Sequence, residues 1–237
     1  MDSTPAAAAA SLSSRRVLVT GGLGALGRAV GDLLAERGAR VVLLDRAPAH
    51  SLPGMAGVLG DVDLGDQAAA AAALEQACSL LGGLDSLVNV AGGFRWETLE
   101  GGSVESWDAL YGMNLRSAVV ASRAALPYLL AAAPAAIVNV GALAANKAAL
   151  GMGAYAASKA GVARLTEALA EELKDRGVRV NAVLPSILDT PANRADMPDA
   201  DFARWVHPQA LATVIAFLLS DDAQAVTGAC IPVAGRV

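Results

Sequence analysis

Residues 16–27 of the chain read RVLVTGGLGALG, a continuous apolar run that leads into a glycine-rich turn. The run at residues 16–20 has no polar alternation, which is typical of a strand buried on both faces of a sheet. After the turn, apolar positions recur with helical spacing over residues 25–37, and Gly38 ends them. The stretch therefore predicts a strand, a tight turn and a helix, which together form the opening unit of a parallel α/β sheet.

The same alternation continues to the end of the chain. Further short apolar strands are predicted at residues 40–44, 57–60, 85–90, 136–140, 178–184 and 229–233. Helices are predicted at residues 66–81, 103–130, 153–176 and 208–220, whereas residues 185–205 have no regular pattern. Crossovers of this length are right-handed and place successive strands parallel. We expect a single α/β domain over residues 15–237 with a doubly wound parallel sheet of about seven strands.

Composition restricts the class of protein. The chain has 237 residues, of which 54% are hydrophobic and 4% aromatic, and a net charge of −5. The negative charge argues against a nucleic-acid partner, and no apolar run reaches the ~18 residues that a membrane span needs. Residues 1–14 are rich in Ala and Ser and are predicted to be a disordered tail. Cys78 and Cys230 lie far apart in the sequence, which predicts reduced thiols and a cytoplasmic location. His50 and His207 have no motif around them, so no metal site is predicted.

The glycine-rich turn has the composition of a phosphate-binding loop. Gly21, Gly24 and Gly27 permit a tight turn, close approach of the backbone to a pyrophosphate and close packing of the helix. The N-terminus of the following helix supplies free N–H groups and the positive end of the helix dipole. The turn therefore predicts a dinucleotide site in a Rossmann fold.

An acidic residue ends the second predicted strand. Asp45 follows Gly21 by 24 residues, where a carboxylate can accept hydrogen bonds from the hydroxyl groups of an adenosine ribose. The same carboxylate would repel the 2′-phosphate of NADP, whereas the neighbouring Arg46 could pair with it. We expect NAD as the cofactor and keep NADP as the alternative.

A candidate acid–base pair lies in the helix predicted at residues 153–176. Tyr155 and Lys159 are four residues apart, so both side chains stand on one face of the helix. A free phenol has a pKa of about 10, and a cation one turn away favours the phenolate and lowers that pKa. The pair could then exchange a proton with a substrate near neutral pH.

Taken in order, these motifs resemble those of the short-chain dehydrogenase/reductase family over nearly the full chain. The resemblance adds Asp61-Val62, Asn89-Val90-Ala91-Gly92, Asn114, and Pro185 followed by Thr190. It implies that Tyr155 is the acid in reduction and the base in oxidation, that Lys159 holds the nicotinamide ribose, and that Asn114 helps to position a water beside Lys159. The cofactor contacts that it implies are Gly21, Gly24, Leu26, Gly27, Asp45, Arg46, Asp61, Val62, Asn89, Ala91, Gly92, Tyr155, Lys159, Pro185 and Thr190.

The chain departs from the pattern of this family at two positions. Ala25 stands where the commonest glycine turn of the family has glycine, which alters the fit of the cofactor without preventing binding. Ala142, thirteen residues before Tyr155, stands where most members have a serine that donates a hydrogen bond to the substrate oxygen. Removing such a donor typically costs roughly 10²–10³ in turnover. Asn146 and Lys147, in the following loop, are the candidates to replace it.

Alanine in place of that serine also occurs in the dihydropteridine reductases of this family, which reduce a quinonoid pterin with NADH. The chain is similar to them at residues 22–27, 141–142, 147–150, 188–194 and 197–202. This resemblance implies a conjugated C=N or quinonoid substrate, which does not need the serine. Two alternatives stay open: a ketone or secondary-alcohol dehydrogenase with a substitute donor, and a cofactor-binding protein without catalysis.

Substrate contacts are expected at the C-terminal edge of the sheet, where ligands bind in open α/β folds. The expected contacts with a small molecule are Ala142, Asn146, Trp96, Met152, Leu188 and Trp205, with Phe94, Arg95, Met197 and Phe202 nearby. Residues 186–205 are predicted to form a mobile lid there, and their aromatic side chains favour a flat or cyclic substrate. The resemblance further implies a homo-oligomer, a dimer or a tetramer, paired through the helix predicted at residues 103–130 and the helix that begins near Gly153.

Overall fold

Seven parallel strands form the sheet at the centre of the computed structural model, which describes residues 12–237. The strands are β1 (Arg16–Thr20), β2 (Arg40–Leu44), β3 (Gly57–Leu59), β4 (Ser86–Asn89), β5 (Ala135–Val140), β6 (Val178–Pro185) and β7 (Cys230–Val233). Their spatial order is β3-β2-β1-β4-β5-β6-β7, so the direction of winding reverses between β1 and β4. The predicted doubly wound parallel sheet is confirmed.

Helices cover both faces of the sheet. They are α1 (Ala25–Glu36), α2 (Gln67–Leu81), α3 (Val104–Leu110), α4 (Ser117–Ala131), α5 (Gly153–Leu173), α6 (Pro191–Asp196) and α7 (Pro208–Leu219). One core cluster includes residues of α2, α4 and α5, and a second includes residues of α1 and α7. Strand β1 contributes Leu18 to the first cluster and Val17 and Val19 to the second. This division explains the unbroken apolar run, because successive side chains of a central strand face opposite layers.

The predicted N-terminal tail falls mostly on residues 1–11, which lie outside the described residues. Residues 12–14 were expected to belong to it, but they form a turn against the domain. Leu12 is buried in the core, and its N–H donates to the carbonyl oxygen of Arg37 at 3.0 Å. A single leucine has no periodicity, so the local pattern gave no sign of this long-range contact.

The helix predicted at residues 103–130 contains an irregular turn. Residues Tyr111–Arg116 form a π-helical segment between α3 and α4. Segments of this kind are frequent at functional sites. Asn114 lies in the segment, and its side chain is buried.

Residues 186–205 are more regular than predicted, because they contain α6 and a 3₁₀ turn at Phe202–Arg204. The guanidinium of Arg194 donates to both carboxylate oxygens of Asp189, at 2.5 and 2.8 Å. The same guanidinium stacks over the ring of Phe202 at 4.7 Å from its centroid. These contacts tie α6 to both ends of the segment. The prediction of an irregular segment is therefore wrong, and its mobility stays a prediction.

None of the helices within residues 12–237 is long and apolar enough to cross a membrane. Over the same residues, no cluster of three or more His, Cys, Asp or Glu side chains could hold a metal ion. Cys78 and Cys230 are both free thiols.

Candidate active site

A large cavity lies at the C-terminal edge of the sheet, beside the reversal of winding between β1 and β4. Its volume is about 1580 Å³, whereas small-molecule pockets usually measure ~300–1,000 Å³. The glycine turn and Asp45 line one part of it, and Tyr155, Met152 and Leu188 line another. The cavity therefore has room for a dinucleotide together with a small substrate.

Most of the predicted site residues line this cavity. From the predicted cofactor set, the lining residues are Gly21, Gly24, Leu26, Gly27, Asp45, Arg46, Val62, Ala91, Gly92, Tyr155, Lys159, Pro185 and Thr190. From the predicted substrate set, they are Trp96, Ala142, Met152 and Leu188. These residues follow different strands, and the parallel sheet brings them together because all of its strands end at the same edge.

Two predicted contacts lie on the surface outside the cavity. Asp61 and Asn146 are both exposed and do not line it, whereas their neighbours Val62 and Lys147 do. Lys147 is thereby the better placed of the two candidates for the donor that Ala142 lacks. Neither Asp61 nor Asn146 is retained as a cavity contact.

Two other predicted contacts are buried away from the cavity. The amide nitrogen of Asn89 donates to the Ser122 hydroxyl at 3.0 Å and to the amide oxygen of Asn139 at 2.9 Å, so this side chain joins β4 to α4 and β5. Trp205 is only 6% exposed and packs against Phe202, with ring centroids 4.8 Å apart. The expected substrate contact of Trp205 is therefore wrong, because the indole belongs to the packing of the segment.

The glycine turn has the backbone geometry that a phosphate site needs. Gly21 has a φ of 64°, a left-handed conformation that favours glycine. A Cβ on Gly27 would overlap the carbonyl oxygen of Gly21, whereas a Cβ on Gly24 would lie 3.4 Å from the same atom. Gly24 immediately precedes α1 and caps it without a side-chain hydrogen bond. The N–H groups of the first turn are therefore left for an anionic group, and the turn fits a pyrophosphate.

Asp45 fastens the glycine turn to the end of β2. One carboxylate oxygen accepts the N–H of Leu23 at 2.9 Å, and the other accepts the N–H of Ala47 at 3.0 Å. Each oxygen has a further lone pair that can accept a hydrogen bond from a group in the cavity. A fixed carboxylate in this position suits ribose hydroxyl groups. Arg46 lines the cavity beside it.

Tyr155 and Lys159 lie on α5 and both line the cavity. The Lys159 ammonium donates to the carbonyl oxygen of Val140 at 2.9 Å. Burial lowers the pKa of Lys159 to about 8 and raises the pKa of Tyr155 to about 12. The expectation that Lys159 lowers the pKa of Tyr155 is wrong for the chain alone, because desolvation of the phenolate dominates. At neutral pH Tyr155 therefore keeps its proton.

Asn114 lies behind the cavity wall, next to Lys159. Its Oδ1 accepts the N–H of Gly93 at 2.8 Å, and its Nδ2 donates to the Gly93 carbonyl at 3.1 Å and to the Ser158 hydroxyl at 2.9 Å. A Cβ placed on Gly92 would lie 2.6 Å from Oδ1 of Asn114 and 3.2 Å from Nζ of Lys159. The amide oxygen and the ammonium therefore approach the same point.

The structure adds contacts that the sequence analysis did not identify. The ring of Phe94 meets the ring of Tyr155 edge to face, and Trp96 packs over Gly151, where any Cβ would overlap the indole. Ser158 has no motif of its own in the sequence beyond its place before Lys159. Its bond to Asn114 depends on a π-helical segment that no local pattern indicated.

Comparison with known proteins places this geometry in a family. The family model described as short chain dehydrogenase matches residues 15–201. The cis-4-hydroxycyclohexanecarboxylate dehydrogenase of Sinomonas cyclohexanicum is 34% identical, over 94% of this chain and 96% of the relative. A short chain dehydrogenase from Burkholderia cenocepacia in complex with NADP has a TM-score of 0.85 at 32% identity, over 94% of this chain and 98% of the other. The 3-ketoacyl-(acyl-carrier-protein) reductase from Brucella melitensis complexed with NADH has a TM-score of 0.86 at 29% identity, over 95% of this chain and 99% of the other.

Proposed function

The chain belongs to the short-chain dehydrogenase/reductase family and is an NAD(P)-dependent oxidoreductase, and we propose that it reduces a conjugated C=N or quinonoid ring with Tyr155 as the proton donor. The observation that carries this proposal is Ala142, which is buried in the cavity wall and has no hydroxyl group. A ketone develops negative charge on its oxygen during reduction, and hydrogen-bond donors stabilise that charge. A conjugated ring spreads the charge over several atoms and depends less on such a donor.

The cofactor would occupy the part of the cavity that begins at the glycine turn. The first-turn N–H groups of α1 would hold the pyrophosphate, Asp45 would accept the adenosine ribose hydroxyls, and Lys159 would hold the nicotinamide ribose. Pro185 and Thr190 would border the nicotinamide. When bound, the nicotinamide supplies the hydride. The Asp45 carboxylate favours NAD, and Arg46 is the residue through which NADP would be accepted.

Proton supply would follow from the two buried groups on α5. Because burial raises the pKa of Tyr155 to about 12, its phenol is protonated at neutral pH and can donate from Oη to the substrate. Lys159, with a pKa of about 8, is mostly protonated at neutral pH and can replace that proton. Asn114 would hold a water beside Lys159. The protonation state of the pair supports reduction as the working direction.

Aromatic side chains would bind the substrate ring. Phe94 and Trp96 both line the cavity and are 51% and 57% exposed. Exposed rings of this kind offer faces and edges against which a flat ring can pack. Met152 and Leu188 would complete an apolar pocket around Tyr155, which suits a cyclic substrate.

A paired assay tests the proposed function. Oxidation of NADH and of NADPH would be followed with quinonoid dihydropterin and cyclic imines in one arm and ketones in the other. We expect turnover in the first arm and its loss in Tyr155→Phe. Turnover with ketones alone would contradict the proposed substrate class. Binding of NADH without turnover of any substrate would favour the non-catalytic alternative.

A ring ketone or secondary alcohol is the second candidate substrate. The relative from Sinomonas cyclohexanicum is named for cis-4-hydroxycyclohexanecarboxylate, which is a ring secondary alcohol. Lys147 lines the cavity in the loop after Ala142, and its ammonium could donate to a ketone oxygen. In this case Lys147→Met would lower ketone turnover by roughly 10²–10³ and leave NADH affinity unchanged.

We also propose that the chain forms a homo-oligomer through α3, α4 and α5. Exposed apolar side chains accumulate along this part of the molecule: Val104, Trp107, Tyr111, Met113 and Val119. Contiguous apolar patches on a protein surface often mark association sites. Light scattering would separate a dimer from a tetramer, and a monomer at micromolar concentration would contradict the proposal.

A further inference from the structure

Arg95 brings a positive charge without an acidic partner to the wall of the cavity. Its side chain is exposed and lines the cavity. Within residues 12–237, no Asp or Glu side chain forms an ion pair with its guanidinium. The arginines of that range that do form ion pairs are Arg15, Arg16, Arg28, Arg164 and Arg194. The charge of Arg95 is therefore available to a ligand in the cavity.

A neutral partner holds the guanidinium in place. Nη1 of Arg95 donates to the Ser106 hydroxyl at 2.8 Å. Ser106 is a buried residue of α3, and its hydroxyl lies 3.3 Å from the hydroxyl of Ser103, which caps that helix. A guanidinium has five N–H groups, so one bond of this kind leaves most of them for a ligand. The bond restricts the side chain without neutralising its charge.

The position of Arg95 in the chain places it beside the candidate catalytic tyrosine. It directly follows Phe94, whose ring centroid lies 4.9 Å from that of Tyr155. Two residues further on than Arg95, the N–H of Glu97 donates to the carbonyl oxygen of Gly151 at 2.8 Å. This bond joins the segment to the loop before α5. Arg95 therefore belongs to the substrate part of the cavity and not to the part at the glycine turn.

A second cation lines the cavity from the loop that this bond reaches. Lys147 is exposed, like Arg95. The acids that line the cavity are Asp45, Asp63 and Asp196. In the part of the chain that the structure describes, none of these acids forms an ion pair with either cation. The substrate part of the cavity therefore offers two cationic groups to a ligand.

We propose that Arg95 is a specificity-determining residue that binds a carboxylate on the substrate ring, and that Lys147 adds a second positive charge. The inference rests on the proposed function, in which the ring packs against Phe94 and Trp96 and is reduced at Tyr155. A guanidinium can meet a carboxylate with two parallel N–H bonds, whereas an ammonium acts as a point charge. A ring acid would therefore bind better than the neutral amide of the same shape.

The first test measures binding and needs no turnover. Benzoate and benzamide have nearly the same shape but differ in charge, so their two Kd values separate the effect of charge from the packing of the ring. Ligand-observed NMR titration would measure both values at saturating NADH. Arg95→Met removes the charge, and Arg95→Lys keeps it. Arg123→Met is the control, because Arg123 is an exposed arginine of α4 that does not line the cavity.

We expect benzoate to bind roughly tenfold more tightly than benzamide, the effect of one charge-assisted hydrogen bond. Arg95→Met should abolish this preference and leave the affinity for benzamide unchanged. Arg95→Lys should keep only part of the preference, because an ammonium cannot form the paired bonds. Lys147→Met should lower it less than Arg95→Met does, and Arg123→Met should leave it unchanged. Added salt should weaken the preference, because it screens exposed charges.

The outcomes separate this inference from the proposed function. Turnover would be compared for a cyclic imine that bears a ring carboxylate and for its carboxamide. If neither imine were reduced while the preference for benzoate depended on Arg95, the proposed function would fail and the carboxylate site would stand. If the unaltered protein bound benzoate and benzamide equally, or if Arg95→Met weakened both alike, Arg95 would have a structural role only and the inference would be overturned.

Discussion

The ring of Phe94 stands perpendicular to the ring of Tyr155, with an interplanar angle of 89° and centroids 4.9 Å apart. Phe94 follows β4 and Tyr155 lies in the first turn of α5, so the contact joins two elements at the sheet edge. It covers one side of the phenol and contributes to the burial that raises the pKa of Tyr155. In the proposed reaction, the contact would therefore affect both the packing of the substrate and proton donation by Tyr155.

Replacing Phe94 by leucine should weaken substrate binding. An aromatic pair contributes about 0.5–1.5 kcal/mol beyond its buried area, so we expect KM to rise about two- to tenfold with the affinity for NADH unchanged. Steady-state kinetics would measure the effect. Phe217→Leu removes another part-exposed phenyl ring, on α7, and serves as the control. Equal effects of the two variants would show that Phe94 has no special role.

Alanine at Gly24 and alanine at Gly27 should have different consequences. In Gly27→Ala the new Cβ overlaps the carbonyl oxygen of Gly21, so we expect a lower melting temperature as well as lost NADH binding. In Gly24→Ala the Cβ has ordinary contacts, 3.4 Å from the same oxygen, so we expect the fold to survive and NADH affinity to fall. Thermal denaturation and fluorescence titration measure the two effects. A stable Gly27→Ala variant with full NADH affinity would refute this account of the turn.

The charge of Asp45 should set the choice of cofactor. Asp45→Asn removes the repulsion of a 2′-phosphate and weakens the acceptor for ribose hydroxyls. We expect NADH affinity to fall roughly tenfold and the ratio of NADPH to NADH affinity to rise, since hydrogen bonds to charged groups contribute about 1.5–3 kcal/mol. Asp63→Asn removes another carboxylate from the same cavity and is the control. An unchanged cofactor ratio in Asp45→Asn would assign the selection to another residue.

The rate of reduction should fall as the pH rises above about 8, where Lys159 loses its proton. Tyr155 does not cause this fall in rate, because burial raises the pKa of its phenol to about 12 and the phenol stays protonated near pH 8. A plot of the logarithm of kcat against pH would be flat below about pH 8 and would fall at higher pH. Lys159→Arg, whose guanidinium keeps its charge, should lack this fall even where its rate is low. A fall in rate that persists in that variant would have to come from another group.

Lys159 should destabilise the fold at neutral pH. Burial lowers its pKa to about 8 from the ordinary 10.5, so the unfolded chain binds the proton more tightly, and protonation at pH 7 costs the folded state roughly 3 kcal/mol at most. Lys159→Met leaves the Val140 carbonyl without its donor, so we expect a net gain of about 1–2 kcal/mol at pH 7.

The gain from Lys159→Met should shrink between pH 8 and 10.5, because the unaltered protein becomes more stable as the buried lysine loses its proton. Urea denaturation at several pH values would measure it. Lys174→Met, at an exposed lysine, is the control and should show no comparable gain. A loss of stability in Lys159→Met at pH 7 would contradict this account of its burial.

The strands and the glycine turn were predictable because their signals are local. The unbroken apolar run of β1 predicts a strand that is buried on both faces. The spacing of Gly21, Gly24 and Gly27 predicts a tight turn that side chains would obstruct. The parallel sheet then brings Asp45 and Tyr155 to one cavity. This much of the site follows from periodicity, turn chemistry and the rule that parallel strands end at one edge.

Packing decided the features that periodicity could not indicate. Trp205 is an aromatic residue in the segment that was expected to contact the substrate. The folding of residues 186–205 instead buries its side chain against Phe202. Leu12 has no pattern around it, yet it completes the core. In both cases the partner is chosen by the three-dimensional path of the chain and not by neighbouring residues.

The local sequence was sufficient for the order of strands and helices, the glycine turn and the Tyr155–Lys159 pair on one helix face, because each depends on residues a few positions apart. Only the tertiary structure decided the pKa values of that pair and the hydrogen-bond partners of Asn114. Ser158 meets Asn114 across 44 residues of chain, through a π-helical segment. The pKa values of Tyr155 and Lys159 depend on how much water the whole domain excludes from them, and no stretch of sequence contains that quantity.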